Sequence, residues 1–536
     1  MKRIYWLLVI IVALAAFLRF FQLGQNPPSL TWDETAWGYN AYALGITAKD
    51  EFGRFLPHDY LESFGDYKPP VYAYADVLPV KMIGLNEFTT RFPSAFFGTL
   101  TVLLTFFLVR QLFKKSLYKD LYGLMSAFVL AVSPWHIMLS RAAFEQNVAT
   151  FFVVTGVWLF LKAVQENMWY LSLSAVSFVI TMYTFNSPRV VSPLLVLLLG
   201  LVYIKTLWKN KKQTVVAIII GIVLFLPTAK FLLSSQAALR YQQVNIFSDV
   251  SFVQTSNQEI ANDKNAWWSK IIHNRRFIYA AAFMQHYFDN LNPGFLFIHG
   301  DGNPKFATQD TGEMYLWDIP FFVLGILWVF KKKEGAWFII PLWLLLGIIP
   351  AATARETPHA LRIENALPTF QIFVAYGFVQ LMIILKKHRK LIGTILLALL
   401  FANVLYFEHG YYTHYINEYA DQWQYGYKDA FAYTTSVQDK YSKIEFTDAL
   451  GRPYIYYLFY SKTNPQVFRK TANITRDAFG FVHVNNVGKY YFPKDLPQNG
   501  NNVLFVNIPS NVPNSAHIQK TFYLPNGNVS LVAYTL

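Results

Sequence analysis

The sequence predicts a polytopic α-helical membrane protein with about 11 transmembrane helices and a small extracytoplasmic α/β domain at its C-terminus. Of the 536 residues, 54% are hydrophobic and only 15% are charged, a balance too apolar for a soluble protein of this length. Long apolar runs recur as far as about residue 408; beyond it, Tyr, Asn, Asp and Lys become more frequent and the apolar runs shorten. We therefore predict a membrane domain over 1–409 and a second domain over 410–536.

The predicted spans are apolar stretches of roughly 20 residues, the length that crosses a bilayer as a helix. The first stretch follows Lys2 and Arg3, and no small-x-small cleavage site comes after it. We therefore predict a retained first helix instead of a cleaved signal peptide. The stretches centre on 4–23, 90–110, 121–140, 146–161, 168–186, 190–207, 213–232, 315–330, 336–353, 366–385 and 391–408.

The distribution of basic residues predicts the orientation of these spans. With a cytoplasmic N-terminus, the inner loops and ends hold 18 Lys and Arg residues and the short outer loops hold four. Basic residues collect on the cytoplasmic side of membrane proteins. This asymmetry accounts for the net charge of +14 without a nucleic-acid partner. It predicts a multi-pass protein of the plasma membrane whose C-terminal domain is extracytoplasmic. The absence of cysteine excludes disulfides, thiolate metal sites and a cysteine nucleophile.

The C-terminal domain shows a mixture of helix and strand patterns. We predict a helix over 418–441 and strands at 444–446, 503–508 and 529–534. The sequence Pro525-Asn526-Gly527-Asn528 has the composition of a hairpin turn before the last strand. These elements predict an α/β domain of about 125 residues.

Two predicted outer segments are long, at about 24–89 and 235–314, and loops of this length usually carry function. The first contains adjacent carboxylates, Asp33 and Glu34, just after the first span. Carboxylates beside a membrane are costly and need a reason to be there. Two interpretations stay open from the residues alone. One carboxylate accepts a proton from an acceptor hydroxyl while the other orients or binds it, or Asp33 caps the helix that follows.

A second polar cluster in the same segment centres on Lys68, in Asp66-Tyr67-Lys68-Pro69-Pro70. A proline disfavours helix at the residue before it, so the backbone of Lys68 is predicted to be extended. A rigidly held ammonium near the lipid headgroups suits a phosphate, and Tyr67 is a candidate substrate contact beside it. The alternative is a lysine whose stem lies in the interface while its ammonium reaches water.

Three further polar clusters fall on the same predicted outer face. They contain Arg141 with Glu145, then Arg189, then His359 with Arg362. Glu145 is a candidate second acid, and Arg189, His359 and Arg362 are, with Lys68, candidates for holding an anionic lipid headgroup. The alternative for Arg141 and Glu145 is a simple helix pair of a few tenths of a kcal/mol, and each remaining cluster also suits an ordinary loop. Their convergence on one face favours a site.

The order of several short motifs resembles the membrane glycosyltransferases with the C-type fold. These are related to the dolichyl-phosphate-mannose protein mannosyltransferases and to the aminoarabinose transferase that acts on lipid A. The ordered match covers most of 1–410, and the C-terminal domain lies outside it. The motifs are Trp32-Asp33-Glu34, Lys68-Pro69-Pro70-Val71-Tyr72, Arg91-Phe92-Pro93-Ser94, Ser133-Pro134-Trp135-His136, Gly300-Asp301-Gly302-Asn303 and His359-Ala360-Leu361-Arg362.

The resemblance implies an inverting glycosyltransferase that moves a sugar from a polyprenyl-phosphate donor to an acceptor hydroxyl at the outer membrane face. It implies that Asp33 is the general base and that Glu34 and Glu145 are acceptor-positioning or auxiliary acids. It also implies that Lys68 contacts the donor phosphate, with further substrate contacts from Tyr67, Arg141, Arg189, His359 and Arg362. The acceptor would be a protein, a lipid or a cell-wall glycan. No cofactor is predicted; some relatives bind a divalent metal, but the sequence shows no ligand set for one.

A transporter or flippase of lipid-linked sugars is the alternative function. Its outer basic residues would bind the same headgroup without chemistry. Such a protein should carry polar residues along the middle of its spans. The predicted spans here are almost free of charge, which favours the enzyme.

Overall fold

The structure is a computed structural model and describes residues 2–234, 237, 244–477, 482–496, 500 and 502–536. Most of the predicted outer segment at 235–314 is described, but 235–236 and 238–243 lie outside the described residues. The α-helices run over Lys2–Phe20, Trp32–Thr47, Val71–Ile83, Glu87–Leu112, Lys119–Val132, Pro134–Arg141, Glu145–Gln165, Tyr170–Met182, Pro188–Val202, Ile204–Lys209, Lys211–Leu232, Val250–Asn262, Ser269–Ile272, Arg275–Asp289, Pro293–Phe297, Asp318–Lys332, Ile339–Ala352, Ala360–Ile363, Thr369–Ile384, Arg389–His409, Tyr415–Tyr419, Tyr427–Val437, Pro453–Tyr460 and Pro465–Thr471.

Each of the predicted span centres falls on a helix or on a bent pair of helices. Within the described ranges, five helices are long and apolar enough to cross a membrane, or seven if each of two bent pairs counts as one crossing. The predicted number of 11 is therefore not confirmed. Several apolar helices, such as Tyr170–Met182, Pro188–Val202 and Ile339–Ala352, are shorter than the roughly 20 residues that a full crossing needs.

The chain divides into two compact units, which we name and describe separately. The helical unit comprises Met1–Leu18, Phe97–Leu139 and Gln146–Phe407. The loop–sheet unit comprises Arg19–Phe96, Ser140–Glu145 and Glu408–Leu536. The loop–sheet unit therefore contains the whole of the first predicted outer segment, 24–89, together with the C-terminal residues.

Close helix packing in the helical unit depends on two glycines. Gly325 lies against the backbone of Phe373, and Gly377 lies against the backbone of Phe321, so a β-carbon at either glycine would collide with a carbonyl oxygen. Small residues let helix backbones approach closely where lipid supplies no hydrophobic driving force. The helices Asp318–Lys332 and Thr369–Ile384 are consequently held at short range.

The strands of the loop–sheet unit form two sheets among the described residues. A hairpin pairs β1 (Leu61–Ser63) with β2 (Asp66–Lys68), with Leu61 opposite Lys68. The larger sheet has seven strands in the order β4-β5-β6-β3-β7-β9-β8, and β3 lies parallel to both of its neighbours. Its remaining strands are β3 (Lys443–Phe446), β4 (Ala472–Arg476), β5 (Val482–Val487), β6 (Tyr490–Tyr491), β7 (Val503–Asn507), β8 (His517–Tyr523) and β9 (Val529–Thr535).

The predicted C-terminal strands are confirmed to within a residue at their ends, and the predicted turn joins β8 to β9, where Gly527 adopts a φ of 86°. The helix predicted over 418–441 is interrupted. Gln424 and Gly426 both have positive φ values, 52° and 116°, and a right-handed helix cannot continue through such residues. The first helical segment instead ends in a 3₁₀ turn at Ala420–Trp423.

The hydrophobic core of the loop–sheet unit joins residues that are about 400 positions apart. Ala36 and Tyr39 pack in the same buried cluster as Ile455 and Phe459. Hydrogen bonds reinforce this contact, because the Tyr39 hydroxyl donates to the carbonyl of Thr463 at 3.0 Å. The first outer segment and the C-terminal sheet thus share one core. The predicted domain boundary at 409/410 stays a prediction.

Candidate active site

The helix that carries the adjacent carboxylates begins with a capping box. Thr31 is the N-cap: its hydroxyl accepts from the backbone N–H of Glu34 at 3.3 Å, and the Glu34 carboxylate accepts from the N–H of Thr31 at 2.9 Å. The box satisfies two backbone donors that the first helical turn leaves unpaired. The capping role that the sequence left open for Asp33 therefore belongs to Thr31 and Glu34.

Glu34 is fully buried and forms an ion pair with Arg91. One carboxylate oxygen accepts from the Arg91 Nε at 2.9 Å and from the backbone N–H of Ala143, also at 2.9 Å. The Arg91 guanidinium also donates to the carbonyls of Leu23, Pro27 and Ser29. A buried charge is tolerated when it is paired and hydrogen-bonded. This pair fixes the start of the carboxylate-bearing helix to the segment that precedes it.

Asp33 has the opposite environment. Its side chain is 49% exposed and forms an ion pair with the Nζ of Lys68, whose side chain is only 6% exposed. The ammonium of Lys68 lies 4.7 Å from the centre of the Phe64 ring and 5.1 Å from that of Trp37. Aromatic faces attract a cation. Lys68 is thus held in place, and the Asp33 carboxylate beside it is open to solvent.

The β1–β2 hairpin that carries Lys68 is anchored by residues of the C-terminal sheet region. The Tyr454 hydroxyl accepts from the backbone N–H of Phe64 at 3.1 Å and donates to the Glu51 carboxylate at 2.8 Å. Glu51 also accepts from the Ser63 hydroxyl at 2.9 Å. Burial raises the pKa of Glu51 from 4.5 to about 8. The turn of the hairpin is therefore bonded to a buried, largely protonated carboxyl.

A second anchor lies on the other strand of the hairpin. Both guanidinium Nη atoms of Arg476 donate to Glu62, at 2.6 and 3.0 Å. Such a two-pronged contact fixes geometry as well as charge. The hairpin is consequently held at its turn by Tyr454 and along its first strand by Arg476.

Glu145 begins the helix Glu145–Gln165 and lies close enough to Lys68, Asp33 and Asp66 to interact with them electrostatically. The structure therefore brings Asp33, Lys68 and Glu145 together in the loop–sheet unit. Tyr67 lies next to Lys68 on β2, where its ring makes an edge contact with Tyr60, with the ring centres 5.1 Å apart.

Arg141 is fully buried. Its guanidinium donates to the carbonyls of Phe21 and Asn26, at 2.7 and 2.9 Å, and to the Tyr411 hydroxyl at 3.1 Å. These contacts hold the chain that leads into the first outer segment. The predicted substrate role of Arg141 stays a prediction.

Arg189, His359 and Arg362 belong to the helical unit, so they are described apart from Asp33 and Lys68. Arg189 donates to the carbonyl of Met182 at 3.0 Å. Burial, together with the nearby charge of Arg362, lowers the pKa of His359 well below its usual range. Its ring lies 5.0 Å from the Phe306 ring, centre to centre. His359 is therefore neutral at pH 7 and suited to hydrogen bonding instead of acting as a cation.

Asp301, from the predicted Gly300-Asp301-Gly302-Asn303 motif, lies beside His359. Its carboxylate accepts from the backbone N–H groups of Asn303 at 2.8 Å and Ala360 at 2.7 Å. Burial raises the pKa of Asp301 to about 6. Across the described part of the chain, no three His, Asp or Glu side chains are grouped as ligands for a metal ion.

Sequence reasoning did not assign roles to Arg91, Glu51 or Tyr454. The pattern Thr31-x-x-Glu34 is a capping-box signature that predicts a structural task for Glu34. Arg91 stands in one of the quoted motifs, but its partner is 57 residues away. Tyr454 lies 403 residues from Glu51, and no local pattern indicates such a contact.

Comparison with known proteins gives three findings. The family model described as dolichyl-phosphate-mannose-protein mannosyltransferase matches residues 9–233. Crystal structures of ArnT from Cupriavidus metallidurans are similar: the apo state has a TM-score of 0.54 at 11% identity over 99% of this chain and 98% of that one. The form bound to undecaprenyl phosphate has a TM-score of 0.53 at 10% identity over 98% and 97%. No curated protein sequence is matched. The predicted resemblance is confirmed, and the fold is that of a polytopic membrane protein of the C-type with a C-terminal sheet.

Proposed function

We propose that the protein is an inverting membrane glycosyltransferase that moves a sugar from a polyprenyl phosphate to an acceptor hydroxyl. The observation that carries this proposal is the half-exposed carboxylate of Asp33, paired with the buried ammonium of Lys68. The matched family model supports a sugar donor linked to a lipid phosphate. ArnT, which shares the fold, binds undecaprenyl phosphate.

The proposed step is a single displacement at the anomeric carbon. Asp33 accepts the proton of the acceptor hydroxyl while the oxygen of that hydroxyl bonds to the anomeric carbon. The bond from that carbon to the phosphate oxygen breaks at the same time, which inverts the configuration. The electron pair leaves with the polyprenyl phosphate, and a cation fixed beside the leaving oxygen stabilises the developing charge. Lys68 has the charge and the rigid placement for this task.

The remaining acids take supporting roles in this mechanism. Glu34 faces Arg91 and backbone N–H groups, so we assign it to positioning the helix that carries Asp33. Glu145 lies within electrostatic reach of Asp33 and Lys68, so we assign it as an auxiliary acid that orients the acceptor. We place the reaction at the outer face of the plasma membrane, because the short inner loops are the basic ones.

The test is a pair of substitutions of exposed acids in the same unit. Asp33→Asn keeps the shape of the side chain and a hydrogen-bond acceptor for Lys68, but it removes the base. General-base catalysis contributes about 10²–10⁴-fold, so transfer should fall by that factor while the yield of folded protein in detergent stays unchanged. Asp439→Asn, at a carboxylate that is 99% exposed, is the control and should keep full activity.

The assay follows release of polyprenyl phosphate from a panel of polyprenyl-phosphate sugars by the purified protein. Full activity of Asp33→Asn would contradict the catalytic assignment. Translocation of a lipid-linked sugar across vesicle membranes by the parent protein, with no release of lipid phosphate on any donor, would instead favour the transporter or flippase.

A further inference from the structure

A polar cavity opens in the C-terminal part of the loop–sheet unit. Its volume is about 460 Å³, large enough for a sugar unit or two of a ligand chain. The wall is formed by the segment after β3, by β5 and by the segment after β6. The side chains that could contact a ligand there are Asp448, Arg452, Tyr454, His483, Asn485 and Lys494.

The lining of this cavity has the chemistry of a carbohydrate site. Tyr454, Pro453 and Phe492 form the buried, apolar part of the lining, and the partly exposed Pro493 offers an apolar face against which the C–H face of a sugar ring packs. Asn485 supplies an amide that both donates and accepts hydrogen bonds. A ligand in this cavity would therefore find flat apolar surface and hydroxyl partners together.

The charges around the cavity favour an acidic ligand. Arg452 and Lys494 are cationic, whereas Asp448 is the single carboxylate among the described lining residues. Asp448 is already engaged, because it accepts from the backbone N–H of Arg452 at 2.9 Å. The cations are suited to a phosphate or a carboxylate group on the ligand.

The cavity lies one aromatic ring away from Lys68. The Arg452 guanidinium lies 5.3 Å from the centre of the Phe64 ring, and the Lys68 ammonium lies 4.7 Å from the same centre. Gly451, the neighbour of Arg452 in the chain, lies so near the ring of Trp32 that an added β-carbon would be 3.1 Å from it, and Trp32 directly precedes Asp33. A chain bound in the cavity could therefore present a neighbouring hydroxyl to Asp33.

We propose that this cavity binds a glycan that carries phosphate or carboxylate groups, and that this glycan is the acceptor. The assignment as acceptor rests on the proposed transfer reaction, whereas the binding itself does not. The cavity then selects the acceptor, and Tyr454 links it to the hairpin that carries Lys68.

The experiment measures binding by the purified full-length chain in detergent. The probes are maltopentaose, maltopentaose 6-phosphate and pentagalacturonate, followed by isothermal titration. The two charged probes should bind more tightly than maltopentaose, and the better of them identifies the acidic group. Lys494→Ala and Asn485→Ala should each weaken that binding about tenfold, the loss expected for one charged or buried hydrogen bond. Lys520→Ala, at an exposed lysine on β8, removes the same charge outside the cavity and should change nothing.

Three results would overturn the proposal. Equal affinity for the three probes would exclude the acidic ligand, and binding that neither cavity variant weakens, or no binding at all, would exclude the cavity. Release of polyprenyl phosphate is measured in parallel. Glycan binding without any release of polyprenyl phosphate on the donor panel would refute the transfer reaction and leave the proposed cavity in place. Release of polyprenyl phosphate, together with glycan binding that neither cavity variant weakens, would refute the cavity and leave the transfer reaction in place.

Discussion

Replacing Glu34 by Gln should destabilise the folded protein far more than replacing its neighbour Asp33 by Asn. The two carboxylates are adjacent in the sequence, but Glu34 is fully buried and Asp33 is half exposed. The same chemical change, from acid to amide, is therefore made in two different environments. The comparison separates a structural carboxylate from the one proposed as the general base.

The magnitude follows from the hydrogen bonds of each side chain. The Glu34 oxygens accept from Thr31 N–H, Arg91 Nε–H and Ala143 N–H, each at 2.9 Å. A Gln amide turns one of these acceptors into a donor that faces another donor, and it leaves the Arg91 charge buried without its counter-ion. Breaking a buried pair in this way costs about 3–5 kcal/mol. Asp33→Asn removes the charge of a half-exposed carboxylate but keeps an amide oxygen that accepts from the buried Lys68 ammonium, so the loss should stay within about 1 kcal/mol.

The assay is reversible unfolding of each purified variant in mixed detergent micelles, followed by tryptophan fluorescence. The free energy of unfolding should fall by about 3–5 kcal/mol in Glu34→Gln and by no more than about 1 kcal/mol in Asp33→Asn. Activity is measured on the folded fraction alone. A Glu34→Gln variant as stable as the parent protein would refute the structural role, and equal losses in the two variants would refute the distinction between them.

Three further predictions concern the groups around this pair. Lys68→Ala should raise the KM for the donor by at least tenfold and leave the KM for the acceptor nearly unchanged. Lys49→Ala, at an exposed lysine, is the control. Equal donor affinity in Lys68→Ala and the parent protein would refute the phosphate contact. Tyr454→Phe removes the hydroxyl that bonds Glu51 and the hairpin turn. The free energy of unfolding should fall by about 1–3 kcal/mol, and kcat should fall as well. An unchanged kcat would show that the Tyr454 hydroxyl does not position Lys68. Burial raises the pKa of Glu51 from 4.5 to about 8, so the folded protein keeps a proton that the unfolded chain releases. The parent should therefore lose stability relative to Glu51→Gln as the pH rises from about 5 to 8. A stability difference that does not change with pH would refute this.

The helices at the span centres and the strands β3, β7 and β9 could be predicted from the sequence because each leaves a local pattern, whereas β1, β2, β4, β5, β6 and β8 were not predicted. Apolar runs marked every span centre, and short, nearly continuous apolar runs marked β7 and β9. The number of membrane crossings was not accessible in the same way. A run such as 168–186 carries no charged residue, but the helix in it stops at Met182. Residues at the ends of such a run can resemble the rest of it in composition and still lie outside the helix.

The contacts that build the candidate site were harder to predict from the sequence. Asp33 and Lys68 are 35 residues apart and were both chosen as candidates, but their pairing depends on the register of a short hairpin. The anchors of that hairpin, Tyr454 and Arg476, come from a region that the resemblance did not cover. Long-range contacts of this kind are set by packing of the whole unit, and nothing in the neighbouring sequence specifies them.

The division of labour between the two adjacent acids nevertheless follows from a single sequence feature, the capping box. Once Thr31 is the N-cap, Glu34 occupies the third helical position, where its side chain turns back to the N-cap backbone. Successive residues are rotated by about 100° around a helix axis, so Asp33 points away from the direction that Glu34 takes. Glu34 is directed to the interior, where Arg91 lies, and Asp33 to the opening, where Lys68 lies. Moving the cap by one residue, with Thr31→Ala and Trp32→Ser together, should therefore disturb both acids, and transfer should fall even though neither carboxylate has been changed.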